Sequence, residues 1–88
     1  MSRDDGFERL RNLFTADLAE KIKSLEAALR EAKWDEVNLI SHQITGTAKS
    51  FGYPEISSVA SELEDSVPRR SIQKASDLVK RISDLIVL

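Results

Sequence analysis

The chain has 88 residues, 41% hydrophobic and 32% charged, with a net charge of −2 and no cysteine. That is enough chain for one domain, 1–88, with one modest core and no room for a separate cofactor domain. The near-neutral balance excludes broad electrostatic attraction to nucleic acid or anionic lipid, and the missing cysteines exclude disulfides, thiolate nucleophiles and cysteine metal sites.

The first helical segment is expected from about Asp5 to Ala32. Phe7, Leu10, Phe14, Leu18, Ile22, Leu25 and Leu29 recur in steps of three and four, one continuous apolar stripe. Both phenylalanines of this helix are expected in the core. Thr15 and Asp17 mark the one place where the helix could kink, and its length suggests that it overhangs the rest. Trp34, expected at a helix junction or in the core, leads into a second helix from about Asp35 to Phe51. Asp35 and Glu36 complement the dipole of its first turn. Val37, Ile40, Ile44, Ala48 and Phe51 form its core stripe, and Gly52 is placed to end it in the left-handed conformation.

Pro54 opens the third helix, where its missing N–H costs nothing. The stripe there is Ile56, Val59, Ala60 and Leu63, extended by Val67, and Pro68 ends it. Ser71 is the expected N-cap of the fourth, with Ile72, Ala75, Val79, Ile82 and Leu85 or Ile86 facing inward. The final Leu85-Ile86-Val87-Leu88 reads as the last packed turn of that helix, and no apolar run approaches the ~20 residues that span a bilayer. The polar start Met1-Ser2-Arg3-Asp4-Asp5 is unlike a signal peptide. No segment alternates with the period of a strand. The fold class is therefore all-α, an antiparallel four-helix bundle with a long N-terminal helix.

His42 is the only histidine. At about 100° per residue, the core stripe of the second helix spans roughly 80°, and His42 lies roughly 160° from its centre. Its side chain is expected to face water. Asn38, Thr45, Gly46 and Lys49 share its face, and Leu39 leans to the same side. Gly46 stands out, because glycine within a helix costs about 1 kcal/mol relative to alanine. On the wet side it leaves room for a phosphoryl group, or a protein carrying one, to approach the ring. Neutral imidazole has a free ring-nitrogen lone pair and is a competent nucleophile. Phosphoryl transfer needs positioning and charge stabilisation, for which this face offers Lys49, with Thr45 or Asn38 as hydrogen-bond donors. The sequence has no Walker A motif and no kinase glycine-rich loop, so a partner must bring the rest. One histidine without an acid four residues on makes no metal-ligand cluster.

The run Ser41-His42-Gln43-Ile44-Thr45-Gly46-Thr47-Ala48-Lys49-Ser50-Phe51-Gly52, followed by Leu63-Glu64, resembles the histidine-containing phosphotransfer (HPt) domain. His42, Ile44, Gly46, Ala48 and Gly52 match that family's spacing over the central third of the chain, and the remainder matches as helix pattern. The resemblance implies a four-helix bundle and phosphorylation of His42 on Nε2. It implies a carrier, not an autonomous enzyme, working between receiver domains of a two-component phosphorelay, each receiver bringing an aspartate and Mg²⁺. No cofactor of its own is expected, and no nucleic-acid or membrane partner. Many members carry a lysine three residues after the histidine; here that residue is Thr45, and Lys49, one turn on, is the candidate substitute. Leu39 is the candidate docking residue. The expected setting is a cytoplasmic monomer, and Met1 with short flanks suggests a free-standing carrier, with a domain cut from a hybrid kinase as the alternative. Two other readings stand beside it. One is a receiver-binding module that does not transfer. The other is a structural bundle that acts through apolar ends such as Ile86-Val87-Leu88.

Overall fold

A computed structural model describes residues 4–86. It holds α1 (Asp4–Arg30), α2 (Trp34–Ser50), α3 (Pro54–Ser66), a 3-10 turn (Val67–Arg69) and α4 (Ile72–Leu85). No strand occurs among the described residues. Each helix packs on two neighbours, α1 and α3 both lying against α2 and α4. Short connections between consecutive helices make the bundle antiparallel, as the four stripes require.

The core matches the stripes closely. Phe14, Leu18, Ile22, Leu25 and Leu29 of α1 meet Val37, Ile44 and Ala48 of α2, Ile56, Val59, Ala60 and Leu63 of α3, and Ala75, Val79 and Ile82 of α4. Trp34, Ile40, Phe51, Val67, Leu85 and Ile86 are half-buried against it. Ala28 and Leu78, absent from the predicted stripes, are buried as well. Phe14 closes one end, its ring stacked 5.0 Å from that of Phe51 and 5.2 Å from that of Tyr53.

Three predicted core residues are not in the core. Phe7 and Leu10 are 55% and 51% exposed, and Ile72 is 51% exposed. The physical reason is an end effect. Residues 4–13 of α1 run past the stacked Phe14, Phe51 and Tyr53, so no other described helix lies beside them. The overhang contributes to a molecule 49 Å long and only 19 Å across. Ile72 is the first residue of α4, where the bundle runs out at the opposite end. α1 itself continues without a break through Thr15, whose hydroxyl donates to the Asn12 carbonyl at 3.0 Å. Val87 and Leu88 lie outside the described residues, so the packing expected of them has no counterpart here.

Both long helices stop by the same device. At the end of α2 the Tyr53 N–H donates to the Ala48 carbonyl and the Gly52 N–H to that of Lys49, with Gly52 at φ +85°. At the end of α1 the Lys33 N–H donates to Ala28 and the Ala32 N–H to Leu29, with Ala32 at φ +55°. Both are Schellman stops. The first uses glycine, whereas the second forces an alanine into the left-handed region, which costs about 1–2 kcal/mol. Pro54 is at the first turn of α3, and Ser71 caps α4 by accepting from the Lys74 N–H.

Candidate functional site on α2

The exposed side of α2 is built over a tight seam with α3. Ser57 is buried at that seam, and Ser41 is buried on α2. The Ser41 hydroxyl donates back to the Val37 carbonyl at 2.7 Å, and Ser57 donates across to the Thr45 carbonyl at 2.8 Å. Small side chains that satisfy their own hydroxyls let the two helices approach closely without leaving a buried polar group unpaired. Neither serine stands out from hydrophobic periodicity, because a serine does not register as apolar.

His42 stands out from this platform with 72% of its side chain exposed. Its Nδ1 lies 3.0 Å from Oε2 of Glu64 on α3, whose side chain is 28% exposed. The contact settles the roles of the two ring nitrogens. An ionised carboxylate only accepts hydrogen bonds, so the Nδ1–H must donate. In the neutral ring the lone pair is then on Nε2, which has no hydrogen-bond partner among the described residues. A lone pair on a solvent-facing nitrogen, with the ring held from behind, is the arrangement of an accessible nucleophile.

Glu64 is the site residue that sequence reasoning passed over, although the family pattern included it. It is 22 positions from His42 and on another helix. Nothing in the local spacing pairs them; only the packing of α3 on α2 does.

The other candidates divide. Asn38 and Leu39 are exposed on the turn before His42, Leu39 at 56%. Gly46 is exposed, and a Cβ built there meets nothing within 4 Å. No internal contact demands glycine at this position. Thr45 is half-buried, and its hydroxyl donates to the Ser41 carbonyl at 2.9 Å. Its one hydroxyl proton is therefore already engaged within α2. Lys49 is exposed and lines a shallow groove between α2 and α3 together with Thr45, Ser57, Ser61, Glu62 and Asp65. Among the described residues, no three His, Cys, Asp or Glu side chains gather as a metal-binding group. No helix among them is long and apolar enough to cross a membrane.

The bundle falls in a class that the family match identifies, the phosphotransfer modules of two-component signalling. Residues 9–87 match the Hpt domain, and the chain belongs to that family. Domains of this family interact with receiver domains and are phosphocarrier modules, generally not enzymes. No curated protein and no solved structure matches the chain.

Proposed function

We propose that His42 accepts a phosphoryl group on Nε2 from the aspartate of a receiver domain and passes it to the aspartate of another. The observation that carries this reading is the Nδ1–Glu64 hydrogen bond beneath an exposed ring. It leaves the outward nitrogen as the nucleophile. In this reading the chain supplies the acceptor and its orientation, and each receiver supplies the aspartate and the Mg²⁺ that neutralises the phosphoryl oxygens. The chain acts as a monomeric cytoplasmic carrier with no cofactor of its own. Gly46 keeps the approach open, Leu39 meets the receiver surface, and Lys49 reaches toward the phosphoryl oxygens with Asn38 as a further donor.

The test is incubation with a receiver phosphorylated on its aspartate. Transfer places an acid-labile, base-stable label on the chain, and His42→Gln removes it without lowering the melting temperature, since the side chain lies outside the core. A label that survives in His42→Gln overturns the assignment. One observation favours a second reading, a module that docks on a receiver without transferring: the position where many relatives carry a lysine holds Thr45, whose hydroxyl is committed to Ser41. Binding to the receiver without any label would establish that reading instead.

A further inference from the structure

The His42–Glu64 pair also determines what becomes of the Nδ1 proton once Nε2 carries phosphorus. In the free protein Nδ1 bears a proton, and Nε2 bears the lone pair. When that lone pair attacks the phosphorus of an acyl phosphate, the P–O bond to the aspartyl carboxyl breaks and its electrons leave with the carboxylate. The ring has gained a bond and lost no proton, so it becomes a cationic phosphoimidazolium with Nδ1–H still facing Glu64. In the onward step a receiver carboxylate attacks the phosphorus. The P–Nε2 bond breaks, its electrons return to Nε2, and neutral imidazole is restored. No proton moves in either direction, provided Nδ1 keeps its own. If Nδ1 loses it, the leaving group becomes an imidazolate anion, and the phosphoryl group is stranded.

The charges around the ring give Glu64 control of that proton. On α2 the charges on the same face are Asp35 and Lys49, each two turns away, Lys49 in the groove with Glu62 and Asp65 of α3. Glu62 is itself paired with Lys74 of α4 at 3.4 Å. In α1 the pairs Lys21–Asp17 and Lys23–Glu20 are formed within the helix. Arg69, in the 3-10 turn that packs on α2, is exposed and makes no ion pair among the described residues. Among the described residues, Glu64 alone hydrogen-bonds the imidazole. Where a relative would hold a lysine against the phosphoryl group, Thr45 brings no charge.

We propose that Glu64 is a positioning residue that retains the Nδ1 proton on phosphorylated His42, so that the phosphoryl group stays in its transferable form as a short-lived relay intermediate and is not stored. This rests on His42 being the phosphoryl acceptor. A carboxylate 3.0 Å from Nδ1 favours the ring that keeps its proton there over the ring that has lost it. A glutamine at position 64 still hydrogen-bonds the ring. It stabilises both protonation states, however, by accepting from Nδ1–H or by donating to a bare Nδ1.

The experiment uses the full chain and its Glu64→Gln variant, both phosphorylated with phosphoramidate. Loss of the phosphohistidine signal is followed by ³¹P NMR between pH 5 and pH 9. At pH 8 the variant should keep its phosphoryl group severalfold longer. At pH 5, where bulk acid supplies the proton that Glu64 holds at higher pH, the two lifetimes should coincide. Superimposable pH profiles would overturn the proposal, as would a difference of equal size at every pH, which would mark a steric effect. Failure of the unmodified chain to take up phosphate at all would remove the acceptor reading itself, a result distinct from either of these.

Discussion

The two faces of α2 share one backbone and obey different rules. On the dry face Val37, Ser41, Ile44 and Ala48 are completely buried, and each is there because it fills space between α1 and α3. On the wet face His42, Gly46 and Lys49 are exposed, and nothing inside the molecule requires any of them. A residue that costs stability in a position where packing asks nothing of it, as Gly46 does, points outside the molecule for its reason. The contrast separates the part of the sequence that makes the bundle from the part that makes it useful.

The contrast can be tested by breaking one face at a time. Ile44→Ala should have the largest effect, about 2–5 kcal/mol of lost stability from lost burial and the cavity left behind. Thermal unfolding followed by circular dichroism would register it as a fall of well over 5 °C, at roughly 4–8 °C per kcal/mol for a domain of this size. An unchanged midpoint would mean that the dry face does not hold the bundle. The two glycines at this end of the molecule then sharpen the comparison, because the same substitution should act in opposite directions. Gly52→Ala forces a side chain into the left-handed region at φ +85° and should cost about 1–2 kcal/mol. Gly46→Ala, with open space around its new methyl group, should gain up to about 1 kcal/mol, yet slow phosphoryl transfer from a receiver by crowding the ring one turn away. If melting temperature and transfer rate rose together in Gly46→Ala, the glycine would have no role in approach. The smallest effect belongs to Ala32→Gly. It relieves the strained stop of α1 and gives up part of that gain to the freer unfolded chain. Guanidinium unfolding should show about 0.5 kcal/mol of added stability, and a loss would mean that Ala32 is not strained.

The periodic stripes were legible because burial and helical repeat coincide through the middle of every helix, as with Leu18, Ile44 and Leu63. They misled at the ends. Phe7, Leu10 and Ile72 continue their stripes correctly and are still exposed, because a stripe records which side of a helix is apolar and not whether a neighbour reaches that far. Ser41 and Ser57 escaped for the opposite reason, being polar residues that are buried with their hydroxyls satisfied locally or across one seam. At the site, the outward direction of His42 followed from its angle to Ile44 and Ala48. The state of its ring did not follow, since Nδ1 is held by a residue of another helix.

By itself the sequence determined the four helices, their inward faces and the exposure of His42, since all three depend on spacing along one chain segment and a helix converts spacing into direction. It also carried the family pattern. Tertiary structure alone decided how far α1, whose overhang its length already implied, runs past its neighbours, that Ser57 bonds across the α2–α3 seam, and that the Glu64 carboxylate meets Nδ1 of His42. Those are distances between segments, and they arise only when separate apolar faces are pressed into one core.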